Sequence, residues 1–71
     1  MKKINIDTDF ITLSQFLKME NFVSSGGEVR YFLQDNDVYI NAELEKRRGK
    51  KLYPQDKIKI ADKTFLIADE N

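Results

Sequence analysis

The chain has 71 residues, 41% apolar and 34% charged, and its 12 basic and 12 acidic side chains cancel to a net charge of zero. A chain this short has room for one domain with a thin core, since it buries only about 60% of its unfolded surface. It has no cysteine, which excludes disulfides and thiolate metal sites, and no histidine, the commonest general base near neutral pH and the commonest metal ligand.

Residues 3–6, KINI, alternate polar and apolar and predict a strand with Ile4 and Ile6 inward. DTDF breaks it. TLSQFLKME at 12–20 reads as a helix: Thr12 and Gln15 have capping-box spacing, and Leu13, Phe16 and Leu17 form one apolar stripe. Lys18 falls on the solvated face. NFVSSGG at 21–27 is rich in turn formers, with Phe22 and Val23 expected to plug the core. A second helix is expected from Ser25, where Ser25 and Glu28 repeat the capping-box spacing and Val29, Phe32 and Leu33 make a buried stripe.

QDND ends that helix. VYI at 38–40 reads as a strand, with a tight turn at 41–43 and a returning strand that runs into the basic run KRRGKK. YPQD at 53–56 reads as a turn with Pro54 where its fixed φ suits. KIKI at 57–60 and TFLI at 64–67 read as the last two strands, joined by ADK. The expected core is Leu13, Phe16, Leu17, Phe32, Leu33, Val38, Ile40 and Ile58. The expected fold class is α+β, two short helices packed on a small, mostly antiparallel sheet, in a single domain over residues 1–71. Two N-terminal lysines without a following apolar run argue against a signal peptide. No stretch approaches the roughly 20 apolar residues of a membrane span, so a cytoplasmic protein with no membrane partner is expected.

The neutral total hides an asymmetry. Residues 1–45 carry four basic and eight acidic side chains, whereas residues 46–71 carry eight basic and four acidic. Five cations, Lys46, Arg47, Arg48, Lys50 and Lys51, fall within six positions, interrupted only by Gly49. The bland reading is a solvated loop balanced by Glu43 and Glu45. Against it, solubility does not require five like charges together, and the flanking strands fix their position. Arginine forks and lysine point charges suit phosphates, and Gly49 permits φ > 0 or close approach of a ligand. The run therefore reads as a binder of a phosphate backbone.

Other chemistry finds little support. Ser24 and Ser25 have no base to activate them and read as a helix entry. GKK lacks a phosphate loop's spacing, with Leu44 where its first glycine belongs and Lys51 where Ser or Thr belongs. No nucleophile–base pair can be assembled, so no enzyme, catalytic residue, metal, cofactor or small-molecule substrate is expected. SSGGEVR places two glycines at a helix N-terminus, where anions are favoured, but Glu28 can cap the same N–H groups and would repel phosphate.

These stretches together, from LSQFLKMENFVSSGGEVRYFLQ through DNDVYINAELEKRRGKKLYPQDKIKI, resemble the RNA-binding domain of the ribosomal protein S4 type over about residues 12–60. The combination of SSGGE with NAELEKRRGKKL is similar to the small stand-alone bacterial S4-like proteins of the YaaA and YbcJ type. The resemblance implies two helices on a small sheet, the alpha-L RNA-binding motif. It implies an RNA surface in which Lys18, Ser25, Gly26, Gly27 and Arg30 join Lys46, Arg47, Arg48, Lys50 and Lys51. The implied partner is structured RNA, ribosomal RNA or a ribosomal subunit foremost. The segment Thr12–Gln15 departs from the Arg and Asp that many relatives carry at the start of the first helix, and Ala42 stands where glycine usually follows the asparagine.

The leading reading is thus a non-enzymatic RNA-binding protein whose loop cations meet phosphates. The alternative is a protein-interaction module that docks an acidic partner. Tyr31, Tyr39 and Tyr53 are each able to stack an unpaired base, but no RNP-type aromatic pattern surrounds them, and packing or sheet surface is the plainer reading.

Overall fold

The structure, a computed structural model, describes residues 1–70. Strand β1 (Lys2–Ile6) leads to a short β2 (Ile11–Thr12), helices α1 (Leu13–Met19) and α2 (Gly26–Asp35), and then β3 (Val38–Ile40), β4 (Glu43–Glu45), β5 (Lys51–Leu52), β6 (Lys57–Ile60) and β7 (Lys63–Asp69). Five strands form one sheet in the order β1-β7-β6-β3-β4. Every neighbouring pair is antiparallel except β1 with β7, which run parallel with Ile4 opposite Ile67. The expected α+β architecture is therefore present, with one parallel edge.

Alternation places Ile4, Ile6, Val38, Ile40, Ile58, Ile60, Phe65 and Ile67 in the core beneath the helices. α1 adds Leu13, Phe16 and Leu17, and α2 adds Val29 and Leu33. Phe16 meets Phe65 edge-on at 5.1 Å, and Phe22 meets Phe65 in the same way at 5.8 Å. Phe32 departs from the expected core. It is half-buried and packs from the rim on Phe22, centroids 5.6 Å apart. Its helical position lies at the edge of the stripe whose centre Val29 and Leu33 occupy.

The α1 capping box forms as its spacing predicts. Gln15 N–H donates to Thr12 Oγ1 at 3.2 Å, and Thr12 N–H donates to Gln15 Oε1 at 2.8 Å. β3 and β4 are joined by a two-residue turn, shorter than the expected 41–43, with both Asn41 (φ 51°) and Ala42 (φ 72°) in the left-handed region. Asn41 anchors that turn: its Nδ2 donates to Asp56 Oδ1 at 3.0 Å and its Oδ1 accepts from Lys57 N–H at 3.0 Å.

Periodicity gave no sign of one feature. β2 pairs with β5 as a separate two-stranded ladder, Ile11 opposite Leu52 and Thr12 opposite Lys51. This ladder carries the chain from the basic run back against the start of α1. Among the described residues no helix is long and apolar enough to cross a membrane.

Candidate nucleic-acid interface

The basic run is the connection between β4 and β5, and its backbone is pinned. Lys50 N–H closes a turn onto the Arg47 carbonyl at 3.2 Å. Two of its carbonyls then serve α1: Leu13 N–H donates to Lys50 O at 2.8 Å and Ser14 N–H to Arg48 O at 2.9 Å. These are first-turn amides, which a helix cannot satisfy internally. The loop thus finishes the helix, and the helix fixes the loop. Gly49 reaches this geometry without positive φ, so the left-handed freedom expected of it is unused. A Cβ there would meet nothing within 4 Å, which leaves the loop tip open.

The five cations divide by task. Lys46 reaches the C-terminal end of α2: its ammonium donates to Leu33 O at 2.7 Å, Asn36 O at 2.9 Å and Asp37 Oδ1 at 3.2 Å. It satisfies carbonyls at the α2 C-terminus, where the helix dipole also favours a cation. These contacts engage the Lys46 ammonium in the fold, while its side chain stays 43% exposed.

Arg47 pairs with Glu45, its Nε donating to Oε2 at 3.0 Å and its Nη2 to Oε1 at 3.1 Å. Glu45 also accepts the N–H groups of Lys46 (3.1 Å) and Arg47 (3.0 Å). At 9% exposure it is not the solvated counter-charge that its sequence position suggests. The Arg47 guanidinium hydrogen bond, helped by the two amides, pulls its pKa down to about 2 against the cost of burial, and Arg47 is raised in turn. Glu43 stays exposed.

Arg48 reaches the other end of α2. Its Nη2 lies 4.0 Å from the point a Cβ on Gly26 would occupy. Lys46 and Arg48, two residues apart, therefore address opposite ends of one helix. Arg30, one turn beyond Gly26, stands on the same stripe of α2, its guanidinium carbon 5.3 Å from the Tyr31 ring centroid. Ser25 supplies no side-chain cap. Glu28, expected to occupy the first amides of α2, instead accepts from Ser24 N–H at 3.1 Å and Ser25 Oγ at 3.5 Å.

Lys18 lies one turn from Ser14 on the same stripe of α1. Lys50 is half-buried, and Lys51 is exposed with its ammonium 4.9 Å from the Phe10 ring centroid. The structure thus gathers Ser25, Gly26, Gly27, Arg30 and Arg48 around the start of α2, with Lys50 farther along the loop, Lys51 at the start of β5 and Lys18 on α1. Sequence reasoning missed Phe10. The hidden signal was the alternation of Lys51 and Tyr53 about buried Leu52, which turns both toward Phe10.

The chain is 47% identical over 57 residues to the protein named "Probable ribosome maturation protein RlbA" of Bacillus subtilis (strain 168), a match that covers 80% of each chain. A family model described as the S4 domain matches residues 4–68, nearly the whole sequence. The chain belongs to the S4 domain family, a family of RNA-binding domains.

Proposed function

We propose that this protein binds structured RNA, ribosomal RNA foremost, by seating phosphates between the start of α2 and the loop that joins β4 to β5. It acts as a single S4-like unit over residues 1–71, by binding and without catalysis, in the cytoplasm where ribosomal subunits mature.

The observation that carries this reading is the position of Arg48. A helix N-terminus bears partial positive charge, so a guanidinium 4.0 Å from the Gly26 Cβ position adds to it, with the Glu28 carboxylate of the first turn offsetting part of that charge. An anion between them reverses the sign: it accepts from the guanidinium fork and from the helix end together. Glycine at position 26 keeps side-chain bulk out of that space. Arg30 above it and Lys50 and Lys51 beyond it continue the positive surface, so that successive phosphates of one backbone meet it. Membership in the S4 domain family, and the ribosome-maturation name of the Bacillus subtilis relative, favour RNA as the polyanion and the ribosome as its source.

The test is a gel shift with fragments of ribosomal RNA, for the parent and for Arg48→Gln. The parent is expected to shift the RNA and the variant to bind at least 10-fold more weakly, with an unchanged melt. Equal binding by the two, or binding of an acidic protein in preference to RNA, contradicts the proposal.

A further inference from the structure

We propose that Tyr53 is a stacking platform for an unpaired nucleotide base, placed so that a bulged or looped-out residue of the bound RNA packs on its ring while flanking phosphates meet the loop cations. This rests on the RNA reading above and adds a preference among RNA shapes.

Tyr53 leaves 47% of its surface exposed, yet it is firmly held. It opens a turn in which Asp56 N–H donates to Tyr53 O at 3.0 Å, Pro54 takes the second position and Gln55 the third at φ 82°, the arrangement of a type II turn. Tyr53 N–H donates to Asp56 Oδ2 at 2.8 Å, and Asp56 is itself held by Asn41. The ring is backed by Phe10, centroids 5.7 Å apart and planes tilted by 49°, and Phe10 is covered by the Lys51 ammonium. The platform is therefore rigid before any ligand arrives, and little side-chain entropy remains to be lost on stacking.

What lies beside the ring identifies the ligand. Tyr53 lines an open concavity of about 410 Å³ with Arg47, Gly49, Lys50 and Lys51. Its lining contains no carboxylate, whereas an adjoining concavity that Tyr53 shares with the same cations holds Glu43, Glu45 and Asp56; the absent side chain of Gly49 leaves the tip of the first clear. An aromatic face bordered by cations suits a nucleotide, whose base is flat and whose phosphate is anionic. A paired stem cannot use such a face, because its bases are stacked inside the helix and side chains read it through shape and backbone. The other tyrosines are placed differently. Tyr39 lies on the far face of the sheet with Lys57 and Lys59, and Tyr31 already sits beside the Arg30 guanidinium.

The experiment compares two blunt RNA duplexes, one fully paired and one with a single bulged 2-aminopurine, by titration with the parent, Tyr53→Phe and Tyr53→Ala. The parent is expected to bind the bulged duplex about 5- to 160-fold more tightly than the paired one, the range of one base–aromatic stack, and to quench the 2-aminopurine. Tyr53→Phe retains the preference and the quenching. Tyr53→Ala loses both and binds the paired duplex as the parent does. Preference and quenching that survive in Tyr53→Ala, or a parent without preference, overturn the stacking role and leave phosphate binding standing. Failure of the parent to bind either duplex overturns both.

Discussion

Glu45 and Arg47 form a two-pronged ion pair across two positions of the chain, Nε to Oε2 at 3.0 Å and Nη2 to Oε1 at 3.1 Å. The pair holds the turn from which Arg48 projects, so it joins the stability of the fold to the shape of the proposed RNA surface. Glu45 has a pKa lowered from 4.5 to about 2 in the folded state, with the Arg47 hydrogen bond as the main cause. A lowered carboxylate pKa means stability that is fully present above about pH 4.5 and lost as the pH falls toward 2. Thermal melts at pH 7 and pH 3 are expected to show this loss in the parent and a smaller loss in Glu45→Gln. Equal losses would mean that the pair does not contribute.

Lys46 and Lys50 are equivalent cations in the sequence and different ones in the fold. Lys46→Gln is expected to lower the melting temperature by several degrees, because it removes an ammonium bound to Leu33 O and Asn36 O, and to leave the salt dependence of RNA binding unchanged. Lys50→Gln is expected to do the reverse. Melting curves and salt titrations of both variants check this, and an exchange of the two phenotypes would refute the division of tasks.

Ala42 sits at φ 72° in a turn whose other residue, Asn41, is also left-handed. Two positive φ values in a two-residue hairpin favour glycine, and a side chain in that region costs about 1–2 kcal/mol. Ala42→Gly is expected to stabilise the protein by up to about 1 kcal/mol, since the flexibility glycine adds to the unfolded chain offsets part of the relief. Chemical denaturation measures it; a destabilised variant would contradict the geometry.

Phe16 is fully buried between Phe22 and Phe65, whereas Phe32 packs from the rim. Phe16→Ala is expected to cost about 3–5 kcal/mol, close to the whole stability of so small a protein. Phe32→Ala is expected to cost clearly less. Similar losses in the two would place Phe32 in the core after all.

Much of this fold was legible because its signals are local. Thr12 and Gln15 announce a capping box within four residues, and KIKI announces its buried face by alternation alone. Tyr53-Pro54-Gln55-Asp56 announces its turn through proline. The β2–β5 ladder was illegible because two residues are too few for a period, and the parallel pairing of β1 depends on contacts more than 60 positions away. The site was half legible. Composition marks the basic run, but no local rule assigns Lys46 to the α2 carbonyls or lets Arg47 neutralise a buried Glu45. Phe32 was misplaced for a related reason: a helical stripe fixes a direction and leaves open how far the sheet extends beneath it.

If Arg48, Lys50 and Lys51 hold RNA phosphates as proposed, RNA binding depends on salt through these three side chains. Each phosphate contact contributes about 0.7–0.9 to the slope of log K against log salt. Replacing all three with Gln, while keeping Lys46 and Arg47 for the fold, is expected to flatten the slope by about 2 to 3 and weaken binding to every RNA sequence alike, with a normal melt. A triple variant that melts normally and retains the affinity and the slope of the parent would show that the loop is a solvated surface feature and that RNA, if bound, is held elsewhere.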